Sequence, residues 1–188
     1  MKRPVLIFGI AAGLAVILYF LILFLIFGDF SNMRAEDLQR SEILGYLRYV
    51  LLFIGIVMAM VTYRRSTSGE IGYRRMLATG VLVGLIVALF VGALEFSYIA
   101  FISPDFYDQY VKITIEQARR SGATPAQLKE FAAQQANFAW MRNPWATGAF
   151  YFGETAVLAT VFSLLAALVT RRRSAGDRDR AVEGVEAS

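Results

Sequence analysis

Three ionisable side chains stand inside long apolar runs: Arg48 between Ile43 and Tyr63, Glu95 between Met76 and Ile102, and Glu154 between Trp145 and Thr170. Two carboxylates with one guanidinium can form a structural ion-pair cluster, carry a proton or a cation, or work as general acid and base. For the last role no nucleophile is poised nearby in the sequence. The 188 residues include no His and no Cys, which excludes imidazole triads, thiol nucleophiles, the usual N/S zinc sites, haem and iron–sulfur ligation and disulfides. Gly-rich phosphate loops, metal-carboxylate strings, internal repeats and the Asp-based pattern of intramembrane proteases are not visible either. The chain is therefore expected to be no enzyme and to bind no metal or cofactor.

Depth decides whether the three charges can meet. At about 1.5 Å per helical residue, Arg48 lies about 8 Å past Ile43, Glu95 about 10 Å before Ile102, and Glu154 about 14 Å past Trp145, all counted from one side. They share a depth and can meet. In one reading Arg48 snorkels and the carboxylates form a structural polar cluster; in the other the three line a proton- or cation-coupled pathway.

The elements that hold these charges follow from composition. Hydrophobic residues make up 57% of the chain and charged ones 18%, against about 25% charged in an ordinary soluble domain. A bilayer core of about 30 Å needs about 20 apolar helical residues. Four runs qualify: Val5 to Phe27, Ile43 to Tyr63, Met76 to Ile102 and Trp145 to Thr170. In lipid each must satisfy its own backbone, so each is predicted to be a helix. Lys2 and Arg3 precede the first run as they would in a signal peptide. That run is longer than the usual apolar stretch of about 7 to 15 residues and lacks a small-x-small cleavage site, so it is expected to be retained.

Small residues mark the packing faces. Gly80, Gly84, Ala88 and Gly92 advance by four along the third run, with Glu95 close to their stripe, and Gly9 and Gly13 form a matching pair on the first. On the fourth run Ala156, Thr160, Ser163 and Ala167 share one side, and Glu154 is about 200° from Ala156. With Glu154 turned inward, that stripe is expected to face lipid or a second copy of the chain.

Eleven of the 19 basic residues gather on one side, as Lys2, Arg3, Arg64, Arg65, Arg74, Arg75, Arg171, Arg172, Arg173, Arg178 and Arg180. That side is predicted to be cytoplasmic and to hold both termini. Topology accounts for the net charge of +4, and nucleic acid is not expected as a partner. On the other side, residues 104–142 read as an amphipathic helical hairpin. Ser103-Pro104-Asp105 is the predicted start of its first helix and Ser121-Gly122 the stop. Thr124-Pro125-Ala126-Gln127 is a capping box for a second helix that ends at Asn143-Pro144. Phe106, Tyr110 and Ile113 share a face on the first arm, as do Leu128, Phe131, Gln135 and Phe138 on the second. Residues 174–188 mix Arg with Asp and Glu, lack aromatics, and read as a disordered tail to the single domain 1–173.

Several segments together resemble a known family. They are Lys2-Arg3-Pro4-Val5-Leu6-Ile7-Phe8-Gly9, Thr62-Tyr63-Arg64-Arg65, Gly72-Tyr73-Arg74-Arg75-Met76-Leu77 with Gly80, Phe101-Ile102-Ser103-Pro104-Asp105-Phe106, Asn143-Pro144, and a last helix closing on Arg171-Arg172-Arg173. They are similar to the bacterial domain-of-unknown-function family 4199. The resemblance implies a four-span bacterial membrane protein with an extracytoplasmic helical segment between the last two spans. It assigns no catalytic residues. The resulting expectation is an all-α integral protein of the bacterial inner membrane, non-enzymatic, whose partners are the bilayer and either a second copy or another membrane protein. A small proton- or cation-coupled transporter or channel subunit is the alternative.

Overall fold

A computed structural model gives the structure, which describes residues 2–28, 40, 43–67 and 72–186, with side chains from Arg3 to Val169. The side chains of Lys2 and of Arg171 to Arg180, counted above for orientation, lie outside the described side chains. The chain is all-α, with no strand among the described residues: α1 (Lys2–Phe27), α2 (Leu47–Arg65), α3 (Tyr73–Ser97), α4 (Phe106–Arg120), α5 (Pro125–Ala136) and α6 (Pro144–Glu186). Four helical segments, 3–27, 43–65, 73–102 and 144–169, are long and apolar enough to cross a membrane.

Close contacts fix how the four run. A Cβ placed on Gly9 would meet Ile86, and Phe20 meets Tyr98, so α1 runs parallel to the span that begins with α3. The Tyr19 hydroxyl donates to the Leu44 carbonyl at 2.7 Å while Gly55 faces Ala12, so α2 runs against α1. Gly80 faces Ser163 and Gly92 faces Gly148, so α6 runs against α3. The result is an up-down-up-down bundle, with α3 touching all three neighbours. Its buried row Val83, Val87 and Val91 packs with Leu52, Ile56 and Met60 of α2 and Ala159 of α6 into one core.

Without a hydrophobic drive between helices in lipid, close van der Waals approach must hold spans together, and that requires small residues. Gly80, Gly84, Ala88 and Gly92 are all buried. A Cβ on Gly84 would overlap the Cβ of Ala159, and one on Gly92 would come within 2.9 Å of the Gly148 carbonyl oxygen. Gly9 and Gly13 lie on another contact, against Ile86 and Phe90. The α6 side of the interface differs from the expected stripe. Its packing face is Gly148, Ala159, Ser163 and Ala166, whereas Thr160 is exposed. Ser163 and Ala167, assigned above to lipid or a second copy, are buried inside the bundle. Small residues cover two sides of this helix, and the glycines of α3 select the side that gives the closest approach.

The connection between the last spans begins differently from its sequence pattern. The third span does not stop at Ser97 but continues as a π turn, Tyr98–Ile102, closed by the Ser103 amide donating to the Tyr98 carbonyl at 2.8 Å. Ser103 is thus occupied in ending one helix and does not cap the next; Pro104 and Asp105 form a turn, and α4 starts at Phe106. At its other end Gly122 has φ +87° and the Ala123 amide donates to the Ala118 carbonyl at 3.1 Å, a Schellman stop. Thr124 and Gln127 form the reciprocal capping box of α5. That helix ends at Ala136, and a short 3₁₀ turn, Ala139–Arg142, takes over where a continuous second arm is the expectation. Phe138 therefore lies outside α5 and is half exposed. Tyr107, buried, ties the arms by donating to the Gln135 carbonyl, and Arg142 pairs with Asp108 at 2.7 Å.

The backbone of α6 is helical as far as Glu186. No proline interrupts it.

Candidate functional site

The three intramembrane charges converge near the hairpin end of the bundle. Arg48 sits in the first turn of α2, Glu95 ends the Val83-Val87-Val91 row on α3, and Glu154 projects from α6. The Arg48 guanidinium lies between the carboxylates, Nη1 at 3.4 Å from Glu95 Oε1 and Nη2 at 3.4 Å from Glu154 Oε2. Their side chains are 22, 14 and 30% exposed, respectively. Depth counting and the row positions put each charge on a face that meets the others. The long spacing of both contacts makes this a loose bridge, and shorter bonds complete it.

Those bonds come from tyrosines that the charge pattern alone does not single out. Arg48 Nη2 donates to the Tyr49 hydroxyl at 2.7 Å, and that hydroxyl donates to Glu154 Oε1 at 2.5 Å. The guanidinium carbon also lies 4.8 Å from the Tyr49 ring centre and 5.1 Å from that of Tyr151, within cation–π range. Sequence carried a partial signal. Tyr49 adjoins Arg48, and Tyr151 precedes Glu154 by three residues, the spacing of neighbours on one helical face.

Burial makes this arrangement consequential. Removing a charge from water costs several kcal/mol, roughly, and the pairing repays it only when the lone pairs and protons find partners. Glu154 finds two, Arg48 and Tyr49. Glu95 finds one, Arg48. The Arg48 Nε is buried with no partner among the described residues. Among the described residues, no group of three His, Cys, Asp or Glu side chains converges as a metal site would. Among the described residues no Ser, Thr or Lys takes part in the cluster, and its hydrogen bonds join Arg48, Tyr49 and the two carboxylates.

Below the cluster the interior is apolar apart from buried hydroxyls, of which that of Thr155 has no partner among the described residues. The buried hydroxyls of Thr79 and Ser163 donate to carbonyls of their own helices, those of Arg75 at 2.8 Å and Ala159 at 2.6 Å. At the opposite end Arg64, Arg65, Arg74 and Arg75 crowd the ends of α2 and α3.

A family model described as protein of unknown function (DUF4199) matches residues 7–172, from the first span to the end of the fourth. No curated protein and no solved structure matches the chain.

Proposed function

We propose for this chain, which belongs to the DUF4199 family, a non-enzymatic role in the bacterial inner membrane: it acts by binding a second copy of itself or another membrane component. The observation that carries this reading is the closure of the charge cluster. Arg48 is shared between Glu95 and Glu154, Tyr49 completes the ring, and the buried polar groups described beneath it are uncharged hydroxyls, those of Thr79 and Ser163 bonded to their own helices and that of Thr155 without a partner among the described residues. A proton or cation route across one subunit would need further carriers in that lower half. A closed cluster instead serves as a polar clasp that sets how α2, α3 and α6 meet. The hairpin supplies the surface for contact, because none of the residues of α5 is buried and Phe138 and Trp140 next to it are exposed.

Orientation follows from the bases at the Arg64–Arg75 end, which place both termini in the cytoplasm and the hairpin in the periplasm under the positive-inside rule. A reporter active only in the periplasm is expected to be silent when fused after Arg173 and active when inserted near Ser121. The reverse pattern would overturn the orientation.

For the interaction itself, a photo-crosslinking side chain at Phe138 in native membranes is expected to give one discrete protein adduct, either a dimer of the chain or a single second protein. Lipid adducts alone, together with proteoliposomes that leak protons or cations in a Glu95-dependent way, would favour the transporter over the interaction protein.

A further inference from the structure

A cavity of about 230 Å³ opens beside the charge cluster at the hairpin end. Its wall is aromatic: Phe20, Phe24 and Phe27 from α1, Tyr98 from the π turn and Phe106 from the start of α4. Phe20 meets Tyr98 edge to face at 5.4 Å, and Tyr98 meets Phe106 likewise at 5.6 Å, which joins three of these rings into one rigid surface. The charged part of the lining is Glu95 with Arg48, beside Tyr19 and Tyr151; Glu154 is on the far side of the guanidinium and does not line it.

The two charges at the cavity are not equivalent. Arg48 is engaged with both carboxylates and Tyr49, and its remaining donor, Nε, is buried. Glu95 makes a single 3.4 Å contact through Oε1, so its Oε2 has no hydrogen bond among the described residues. At formal charges, two carboxylates against one guanidinium leave one negative charge in excess. An entering anion would meet that excess. An entering cation would meet a carboxylate oxygen and aromatic rings, whose faces attract positive charge, most strongly away from water.

We infer that this cavity is a binding site for a small organic ammonium ion, its carbon groups against the aromatic wall and its charge beside Glu95. The volume sets the size of the ligand, because drug-sized pockets span about 300 to 1,000 Å³ and this one falls below them. A headgroup-sized cation fits that limit. Apart from Phe106 its lining lies outside the hairpin and includes none of α5, Phe138 or Trp140, so the site goes beyond the interaction role above and stands whether or not a protein partner is found there.

The probe is benzyltrimethylammonium, titrated by calorimetry into the full chain in lipid nanodiscs, with empty nanodiscs as the blank. Neopentylbenzene, its uncharged isostere, and benzoate are the comparisons. Saturable binding is expected for the ammonium ion alone, weakened by roughly tenfold or more in Glu95→Gln through loss of the charge. Phe24 takes no part in the cluster's hydrogen bonds or cation–π contacts, and Phe24→Ala is expected to weaken binding by roughly tenfold through loss of an aromatic wall, which decides the matter even if the Glu95 variant does not fold. No saturable ammonium binding, equal binding of the neutral isostere, tighter binding of benzoate, or wild-type affinity in Phe24→Ala would each overturn the site.

Discussion

Replacing Arg48 with Gln is expected to destabilise the bundle by about 1–3 kcal/mol, the range for leaving part-buried charged groups without their hydrogen-bond partner. Two carboxylates are stranded here, not one, because the guanidinium lies 3.4 Å from each. Gln is shorter and uncharged, and it cannot donate to both sides at once. Arg48→Lys is expected to restore only part of the loss, since an ammonium lacks the planar fork that reaches Glu95 and Tyr49 from different nitrogens. Removing a stranded charge should also help. The double variant Arg48→Gln with Glu95→Gln is expected to unfold at a higher temperature than Arg48→Gln alone, and the cycle of four proteins measures the coupling. Thermal unfolding in detergent checks all of these. A wild-type melting temperature for Arg48→Gln would show that the cluster contributes nothing to packing.

A single methyl group at Gly84 is expected to cost about 1–3 kcal/mol, the usual range for forcing an extra carbon into a packed interface. The obstacle is specific: the new Cβ would overlap the Cβ of Ala159 on α6. Ala159→Gly removes that obstacle, so Gly84→Ala with Ala159→Gly is expected to be more stable than the two single losses added together. Gly84→Ile should exceed any such relief and separate the helices. Unchanged melting and an unchanged mass in detergent for Gly84→Ile would show that α3 and α6 do not depend on this approach.

The spans were legible because lipid imposes a length and a composition, and both can be counted along the chain. Depth was legible for the same reason: a fixed rise per residue put Arg48, Glu95 and Glu154 at one level, where the structure brings them together. The choice of face on α6 was not legible. Ala156 is as small as Ala159 and Thr160 differs little in size from Ser163, and only the partner helix decides which row is pressed against it. The π turn at Tyr98–Ile102 has no local signature, since one extra residue per turn is settled by what Ser103 must bond to. The aromatic cavity was hidden for a further reason. Its rings come from α1, the π turn and α4, and no spacing within any one of them announces their convergence.

The crossing of α3 and α6 at Gly92 and Gly148 obeys a harsher rule than the one at Gly84. A Cβ on Gly92 would come within 2.9 Å of the Gly148 carbonyl oxygen, and one on Gly148 within 2.8 Å of the Gly92 carbonyl oxygen. Each glycine is blocked by the other's main chain, which every amino acid carries. Positions 84 and 159 can trade their methyl group, so a lineage can drift there by paired exchange. Positions 92 and 148 have nothing smaller to offer each other. A mutation at either has no compensating partner across the interface and can be undone only by reversion.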